Sequence, residues 1–411
     1  MLWIYNIGIV MYGLLLKLAA LFNEKAKLFV NGRKNIFENI AKKVNAKDRP
    51  IWFHFASLGE FEQGRPVLER LKSENHSQKI VVTFFSPSGY EIRKNYALAD
   101  VFYLPLDTAS NANQFIELIN PKSAIFTKYE FWFHYFKELD KRQIPLYLIS
   151  GIFRPNQSFF KWYGGFYRNI LKYVTHFFVQ NEESISLLKG IGINEVSLAG
   201  DTRFDRVYEN AQQPKKLDLI ESFCGTSNVF IAGSTWPEDE KLLILLTKKY
   251  LDWKFIIAPH EIGASHITEI EGLFPEANKF SVHSAQISSI PSQISNLTSR
   301  ILIIDNIGML SSLYQYAKVS YIGGGFGVGI HNTLEAAAFG LPVIFGPKYD
   351  KFQEAKDLIA IGAARSISTL DQLIAAFEDF RSNEKASADA KNYVKEKKGA
   401  TEMIIETLNK N

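Results

Sequence analysis

Cysteine is nearly absent from this chain. Cys224 is the one cysteine in 411 residues, which excludes an intramolecular disulfide and a metal site built from cysteines. A reducing, cytoplasmic environment is the simplest one that fits this composition. The eight histidines show no HExxH or other close metal-ligand spacing. The residues therefore give no indication of a metal site.

Several common catalytic and binding motifs are also missing. The glycines follow neither GxGxxG nor GxxxxGK[ST], so neither dinucleotide binding nor Walker-type phosphate binding is indicated. The absence of GxSxG and of a cysteine–histidine pairing argues against nucleophilic acyl transfer. The net charge of +4 is too weak and too dispersed for nucleic-acid binding. It suits an anionic ligand or an anionic lipid surface.

The first hydrophobic run lies at the N-terminus. Residues 1–23 are apolar apart from Asn6, Lys17 and Asn23, and sixteen residues precede the first charge. This run is shorter than the ~20 residues that span a bilayer, so a spanning helix and a helix in the membrane interface both stay open. A hydrophobic helix docked on its own domain is a third reading. Because several lysines and arginines follow, we expect a membrane-associated helix over residues 1–24 with this side facing the cytoplasm.

From Pro50 onward, short apolar runs alternate with helical segments, which is typical of parallel sheets covered on both faces. The length of 411 residues favours two domains. The polar segment 210–218 interrupts the alternation and is the predicted linker. We therefore expect α/β domains at 25–210 and 211–383, a cleft at the carboxyl ends of their strands, and a helical tail at 384–411. Residues 280–299 are predicted to be an irregular excursion. The predicted strands are 51–56, 79–85, 101–104, 123–127, 145–150 and 176–180 in the first domain, and 228–233, 254–259, 300–305, 318–324, 342–346 and 363–367 in the second.

The strongest candidate for a ligand site is the stretch from Tyr321 to Pro347. It reads as a strand, a loop with five glycines in seven residues, a short helix from His331-Asn332, and a second strand. Glycines allow a ligand to approach the backbone, and the start of a helix favours a phosphate or carboxylate. Glu335, one turn into the helix, could accept from sugar hydroxyls. A tight strand–helix turn without a ligand is the alternative.

Three further positions follow predicted strands. Ser57, Gly59 and Glu60 form a turn that offers amides and a hydroxyl, although a helix N-cap with Glu60 in the first turn is the interpretation that these residues favour. Glu130 lies among aromatic residues that suit sugar stacking, with a surface glutamate as the alternative. Arg203 could clamp a phosphate or carboxylate, or form an ordinary ion pair with a neighbouring aspartate.

An ordered series of motifs resembles one family. The segments ASLGE, TKYEFW, QNEES, AGDTRFD, AGSTWPEDE and GGGFGVGIHNTLEAAAFGLPVIFGP occur in the order typical of the 3-deoxy-D-manno-octulosonic acid (Kdo) transferases. The resemblance runs from the hydrophobic N-terminus to about residue 360, and the last segment is the most specific one. It implies the GT-B glycosyltransferase fold, in which two Rossmann-like parallel-sheet domains face a cleft.

The resemblance also assigns residues to roles. Glu38 falls where the family has its general base, although nothing in its own surroundings singles it out. Ser57, Gly59, Glu60 and Glu130 match the acceptor side. The donor side is matched by Arg203, Ser234, Thr235, His260, Gly323, Gly324, Gly325, Asn332 and Glu335.

The activity that the resemblance implies is inverting transfer of Kdo from CMP-Kdo to a lipid A precursor. It would take place at the cytoplasmic face of the inner membrane, in lipopolysaccharide biosynthesis, with a monomeric enzyme and without a metal or cofactor. Two alternatives stay open at this point. One is another GT-B enzyme, such as a UDP-sugar transferase or epimerase, and the other is an inactive membrane-bound protein that binds nucleotide sugars.

Overall fold

The structure is a computed structural model that describes residues 1–289 and 299–410. The chain divides into two compact units. The first contains Met1–Asp205 together with Lys398–Asn411, and the second contains Arg206–Lys397.

The first unit is built on a parallel sheet of seven strands in the order β3-β2-β1-β4-β5-β6-β7. Its strands are β1 Ile51–Phe55, β2 Ile80–Phe84, β3 Asp100–Tyr103, β4 Ser123–Thr127, β5 Leu146–Gly151, β6 His176–Val179 and β7 Val196–Leu198. Its helices up to residue 200 are α1 Leu2–Ala19, α2 Glu24–Asn31, α3 Ile36–Lys43, α4 Leu58–Glu74, α5 Pro87–Arg93, α6 Ala109–Ile119, α7 Phe133–Lys141, α8 Gly165–Leu171 and α9 Glu182–Gly190, with short 3₁₀ turns at Ala46–Asp48 and Ser158–Phe160.

Both faces of this sheet are covered, which explains its nearly continuous apolar strands. Every residue of β1 is buried. Phe53 and Phe55 point into one hydrophobic core with Phe84, whereas Trp52 points into the other core with Phe126. Successive side chains of a strand alternate between its two faces, so one short strand supplies both cores.

The second unit has its own parallel sheet of seven strands, in the order β10-β11-β9-β8-β12-β13-β14. The strands are β8 Asn228–Thr235, β9 Trp253–Pro259, β10 Asn278–Lys279, β11 Ile301–Ile303, β12 Val319–Ile322, β13 Val343–Phe345 and β14 Ala364–Ser366. The helices are α10 Arg203–Gln212, which begins in the first unit, α11 Asp218–Cys224, α12 Pro237–Lys249, α13 Ala264–Leu273, α14 Phe280–Ser289, α15 Leu310–Leu313, α16 Leu334–Ala338, α17 Gln353–Ala360, α18 Leu370–Phe380 and α19 Glu384–Lys397, with a 3₁₀ turn at Tyr314–Tyr316.

The strand order identifies where ligands are expected in each unit. Chain order reverses between β1 and β4 in the first sheet and between β8 and β12 in the second. Open α/β sheets bind ligands beyond the carboxyl ends of the strands at such a reversal. The prediction of two Rossmann-like parallel-sheet domains is confirmed, and each sheet has one such position.

The limits of the compact units differ from the predicted domains. The boundary follows Asp205 and lies inside α10, so the predicted linker 210–218 is helical up to Gln212. The predicted tail 384–411 is divided. Helix α19 packs against α16 in the second unit, and the last helix, α20 Ala400–Lys410, packs against α4 in the first. The two helices differ in composition, since α19 is rich in Lys, Ala and Glu whereas α20 carries the buried apolar pair Ile404 and Ile405.

The predicted irregular excursion at 280–299 begins with a helix instead. Residues Phe280–Ser289 form α14. Residues 290–298 lie outside the described part of the chain, so the rest of that prediction is not addressed.

Candidate active site

Two of the predicted acceptor positions follow the strands that flank the reversal in the first sheet. Ser57 is the N-cap residue of α4, directly after β1, and its hydroxyl donates to the Glu60 carboxylate one turn later. Gly59 is exposed in the same turn. The alternative of a helix N-cap therefore describes the local geometry, but the turn also lies where a ligand is expected in this fold.

Glu130 follows β4, the neighbour of β1, and buried groups hold it in place. The indole Nε1 of Trp132 donates to Glu130 Oε2 at 3.0 Å, and His54 Nε2 lies 3.4 Å from the same oxygen. On its other side, His54 Nδ1 lies 2.9 Å from Thr83 Oγ1. The Glu130 side chain is 18% exposed and His54 is fully buried. Sequence reasoning missed His54, whose signal was an imidazole inside the apolar strand IWFHF.

Glu38 lies in the first turn of α3, is exposed, and lines a cavity of about 640 Å³. The apolar side chains that line this cavity are Leu16, Phe29, Val30, Ile36, Phe37, Pro105 and Leu106. Three basic residues, Lys17, Arg33 and Lys34, line it as well. Residues from α1, α2, α3 and the start of α6 thus combine a carboxylate, cations and an apolar wall in one space.

Arg33 is the most constrained group of this cavity. Its guanidinium donates to the carbonyl oxygens of Phe29, Leu104 and Phe85 at 2.7 to 3.0 Å. Burial lowers the pKa of Arg33 to about 9, so the group remains protonated at neutral pH. None of these acceptors is a carboxylate, so the positive charge is not neutralised by them. A buried cation beside a cavity favours an anionic ligand.

The Glu38 cavity and Glu130 belong to the same neighbourhood of the first unit. Phe85, whose carbonyl oxygen accepts from Arg33, stacks its ring 4.7 Å from that of Trp132. Trp132 in turn donates to Glu130. A series of contacts therefore runs from the cavity that Glu38 lines to Glu130, the residue that follows β4.

Arg203 also lies in the first unit, although the resemblance placed it on the donor side. Its Nε and Nη2 each lie 2.8 Å from Asp201 Oδ2, and its backbone amide donates to Asp201 Oδ1 at 2.9 Å. The ion pair that sequence reasoning kept as the alternative is therefore present. A role for Arg203 in donor binding remains a prediction.

In the second unit, packing alone requires two glycines of the predicted loop. A Cβ atom at Gly323 would lie 2.6 Å from Thr235 Cα, and one at Gly325 would lie 2.6 Å from Gly346 Cα. The amide of Gly323 donates to the Gly233 carbonyl, and that of Gly324 donates to Asp239 Oδ2 at 2.9 Å. Protein acceptors therefore already bind both amides, and a role for Gly323 and Gly324 in donor binding stays a prediction.

The helix after this loop is short and begins later than predicted. α16 has five residues, and it begins at Leu334 rather than at His331-Asn332. The Asn332 side chain accepts from the Leu334 amide at 3.0 Å and donates to Glu335 Oε1 at 3.2 Å. Asn332 thus orders the start of the helix and orients Glu335.

Burial raises the pKa of the Glu335 carboxyl, whereas the nearby Arg206 and the hydrogen bond from Asn332 lower it. The same burial lowers the pKa of Arg206, which Glu335 raises. The two groups therefore form a partly desolvated pair of opposite charges. Sequence reasoning found Glu335 and missed Arg206, since an arginine beyond the predicted AGDTRFD motif has no distinctive pattern.

Ser234 and Thr235 end β8, at the reversal of the second sheet. Ser234 has a φ of +55°, which is unusual for a residue other than glycine and marks a constrained turn. The Thr235 hydroxyl donates to Glu240 Oε1 at 2.9 Å, and Glu240 Oε2 lies 3.0 Å from His266 Nε2. Of the two predicted donor residues, Thr235 is therefore held by hydrogen bonds that continue through Glu240 to His266.

Three rings stack beside this turn. The ring centroids of Trp236 and His260 are 5.0 Å apart, and those of His260 and His331 are 4.2 Å apart. Trp236 Nε1 donates to His331 Nε2 at 3.2 Å. Burial, together with His260, lowers the pKa of His331 to about 4, so this ring is neutral at physiological pH. His260 thus contacts His331, which follows the glycine loop, and its role in donor binding stays a prediction.

Within the described residues, no group of three or more His, Cys, Asp or Glu side chains is arranged to hold a metal ion. The site residues are instead carboxylates, cations, hydroxyls and aromatic rings.

Comparison with known proteins shows a similarity to one family. Residues 32–206 match the family described as 3-deoxy-D-manno-octulosonic-acid transferase (kdotransferase). Over these residues the chain is similar to the Kdo transferases. It is 27% identical over 318 residues to the 3-deoxy-D-manno-octulosonic acid transferase of Aquifex aeolicus, covering 75% of this chain and 79% of that protein. The resemblance inferred from the ordered motifs is confirmed.

Other relatives agree in part. The 3-deoxy-D-manno-octulosonic acid transferase of Rickettsia bellii is 27% identical over 354 residues, covering 84% of this chain and 82% of that protein. A bifunctional glycosyltransferase/methyltransferase of Fusobacterium nucleatum is 23% identical over 403 residues, covering 94% of this chain. The chain spans 61% of that relative's length, so the relative contains additional sequence.

Solved structures share the GT-B-like fold of this chain. The UDP-GlcNAc 2-epimerase of Neisseria meningitidis bound to UDP-GlcNAc has a TM-score of 0.60 at 16% identity, covering 88% of this chain and all of that one. MurG of Acinetobacter baumannii has a TM-score of 0.54 at 11% identity, with the same coverage. At these identities the likeness concerns the fold alone.

Proposed function

We propose that the chain is an inverting glycosyltransferase that moves Kdo from CMP-Kdo to a lipid A precursor during lipopolysaccharide core biosynthesis. It would act at the cytoplasmic face of the inner membrane. The observation that carries the proposal is the cavity of about 640 Å³ in which Glu38 meets Lys17, Arg33 and Lys34 on an apolar wall. The relatives named as Kdo transferases support the choice of transferred sugar.

The cavity has the chemistry of a phosphorylated lipid acceptor. Its apolar side chains suit part of an acyl chain, because they would remove that chain from water. The guanidinium of Arg33 and the lysines beside it suit a phosphate. Glu130, fixed by Trp132 and His54, would bind an acceptor sugar hydroxyl, as would the turn of Ser57, Gly59 and Glu60.

Glu38 would act as the general base. Its carboxylate would take the proton from the attacking hydroxyl of the acceptor, and the hydroxyl oxygen would form a bond to the anomeric carbon of Kdo. The bond between that carbon and the CMP phosphate would break, and the phosphate would keep the electron pair. Attack from the face opposite to CMP inverts the anomeric centre.

The second unit would bind CMP-Kdo through the residues around the ends of β8 and β12. Ser234, Thr235 and His260 lie around one strand end, and Asn332 with Glu335 follows the glycine loop. Because the Gly323 and Gly324 amides are paired internally, these glycines would contribute a close backbone approach rather than free donors. The family resemblance assigns Arg203 a role as a cation for the donor phosphate.

Protein groups would stabilise the charge on the departing CMP phosphate, so a divalent cation would be unnecessary. Activity that survives EDTA treatment is expected, and a strict requirement for a divalent cation would overturn this part of the proposal.

In the deciding experiment, the purified protein is incubated with CMP-Kdo and a lipid A precursor, and the mass of the lipid product is measured by mass spectrometry. A product heavier by one or more Kdo units, with CMP released, supports the proposal and shows how many units are added. Binding of CMP-Kdo without release of CMP identifies an inactive nucleotide-sugar binding protein. Competition by UDP rather than CMP, or turnover of a UDP-sugar, identifies another GT-B enzyme. Either outcome overturns the proposal.

A further inference from the structure

Helix α1 presents one continuous apolar face to solvent. Its exposed side chains recur every three or four residues over 18 residues, which is a stripe ~27 Å long on one side of a helix. By length and composition, this helix could cross a membrane. The exposed residues of the stripe are Trp3, Ile4, Ile7, Val10, Met11, Leu14, Leu15 and Leu18.

The opposite face of α1 is attached to the first unit by buried polar contacts near its start. The Tyr5 hydroxyl donates to the carboxylate of Asp107, which is buried. Asp107 also accepts from the backbone amides of His134 and Tyr135, at 3.1 and 3.0 Å. Asn6 Oδ1 lies 2.7 Å from His134 Nε2. Breaking these contacts would leave Asp107 without one of its donors in an apolar interior, which is costly.

The attachment continues to the other end of the helix. The Tyr12 ring stacks on that of Phe85 at 6.1 Å, and a Cβ atom at Gly13 would lie 2.8 Å from Leu106 Cδ1. Leu16 and Lys17 then form part of the Glu38 cavity. The helix therefore contacts the α/β unit along its whole length.

This arrangement conflicts with a helix that crosses a bilayer. A spanning helix is surrounded by lipid or by other spanning segments, and it carries no polar sheet domain into the hydrocarbon with it. A helix attached along ~27 Å of its length would bring the adjacent α/β unit to the same depth. We propose that α1 lies in the plane of one anionic leaflet, with its exposed stripe in the acyl region and its attached face toward the unit.

A second exposed element, a pair of aromatic residues, extends the proposed contact with the membrane. Trp162 is 91% exposed and Tyr163 is 51% exposed, with their rings edge to face at 5.6 Å. They directly precede α8, whose Phe166 lies 5.7 Å from the Tyr5 ring. The aromatic pair is therefore adjacent to the start of α1. Tryptophan and tyrosine are the residues that favour the membrane–water interface, so this pair is the second point of insertion.

Charge at this surface selects anionic headgroups. The exposed lysines on or near α1 are Lys17, Lys25, Lys27 and Lys34, and the half-buried Lys161 directly precedes the aromatic pair. Each lysine close to an anionic surface adds to the attraction. The occupant is therefore a leaflet that contains anionic lipid.

The in-plane arrangement rests on the membrane as a partner in the proposed function, but its test needs no turnover. In a Cys224→Ser background, single cysteines at Ile4, Met11 and Leu18 would carry spin labels on the full chain, bound to vesicles of phosphatidylethanolamine and phosphatidylglycerol. Oxygen and nickel-complex accessibility gives the depth of each label. Leu251→Cys, at an exposed apolar position of the second unit, is the control and is expected to stay in water.

The three labels on α1 are expected at one depth, just below the headgroups. Positions 4 and 18 are ~21 Å apart along the helix, so a spanning helix would place them near opposite interfaces with position 11 close to the centre. That profile, or labels that remain in water, would overturn the proposal. An in-plane profile from a protein that transfers no Kdo would leave the arrangement intact and refute only the proposed function.

The aromatic pair is tested by the double variant Trp162→Ala and Tyr163→Ala. Binding to the same vesicles is expected to weaken about tenfold, because two exposed aromatic side chains lose their place in the interface. Leu251→Ala is the matched control and should leave binding unchanged. Unaltered binding by the double variant, with circular dichroism showing an intact fold, would remove the pair from the membrane contact.

Discussion

The predicted site residues have different surroundings in the two units. In the first unit, Glu38 is exposed and Arg33 contributes its positive charge to an open cavity. In the second unit, glycines and polar side chains are already bound to each other, as in the pair of Gly324 and Asp239. The first unit is thus arranged around a space, and the second around close backbone contacts.

This difference affects what each site tolerates. A side chain at the rim of a cavity can change without affecting the fold, so its loss appears in the reaction. A glycine pressed against a neighbouring backbone cannot change without moving that backbone, so its loss appears in stability. Substitutions in the two units are therefore expected to separate activity from folding.

The largest effect is expected for Glu38→Gln. It retains the size of the side chain and removes the base, so kcat for Kdo transfer should fall ~10²- to 10⁴-fold. Binding of CMP-Kdo and the thermal unfolding curve should both stay unchanged. Glu117→Gln, at an exposed position of α6 in the same unit, is the control. Nearly normal turnover by the Glu38 variant would remove this residue from the role.

The converse case is Gly323→Ala in the second unit. The added methyl group would meet Thr235 Cα at 2.6 Å and the Ser234 carbonyl at a shorter distance, so the free energy of unfolding should fall by ~1–3 kcal/mol or more. Differential scanning calorimetry would measure this loss. The matched control is Gly272→Ala in α13, where a Cβ atom meets nothing within 4 Å and a slight stabilisation is expected. Equal stability of the two variants would contradict the requirement for a glycine at 323.

Two histidines of the second unit are expected to make its stability depend on pH. His331 has its folded pKa lowered from 6.5 to about 4, so the unfolded chain takes up a proton first as the pH falls. Stability should therefore be lost between about pH 6.5 and 4, by ~2 kcal/mol after allowing for partial exposure of the ring. Urea unfolding at pH 7 and pH 5 would measure it, and His331→Gln should reduce the dependence.

His266 is the internal contrast for this measurement. Its pKa is raised by the hydrogen bond and charge of Glu240 against the opposing effect of burial. The stabilisation that His266 provides is therefore complete at low pH, and it is lost as the pH rises through the pKa of His266 in the folded state. His266→Gln should make the acid loss steeper. The same change from both substitutions would refute the assignment of opposite shifts.

The smallest effect is expected for Tyr5→Phe in the first unit. It removes the hydroxyl that donates to buried Asp107 and should lower stability by ~1 kcal/mol. Limited proteolysis near residue 20 should become faster as α1 separates from the unit. Tyr163→Phe, at an exposed position, is the control. Unchanged proteolysis would mean that the apolar contacts of α1 are sufficient to hold it.

The sequence predicted most of the fold and only part of the site, for a physical reason. Strands such as 51–56 and 254–259 were visible because sheets covered on both faces need continuous apolar runs. The glycines at 323 and 325 were visible because close backbone contacts exclude other residues. The cavity was not visible, since Lys17, Arg33, Glu38 and Leu106 come from distant segments and none follows a motif.

Contacts in the structure also change the interpretation of some predicted site residues. The glycine loop suggested free amides, but Gly233 and Asp239 supply acceptors that no local pattern reveals. His54 was overlooked inside an apolar strand, although it is the contact that fixes Glu130. Such pairings depend on which strands become neighbours, and that is decided by the whole sheet.

The last helix of the chain has a consequence for the order of folding. Residues 398–411 belong to the first unit, where Ile404 and Ile405 are buried in its core and Asp205 accepts from the amides of Gly399 and Thr401. During synthesis the second unit emerges completely before these residues do. The first unit, although most of it is translated first, keeps an apolar gap beside α4 until residues 398–411 have been synthesised and can pack there.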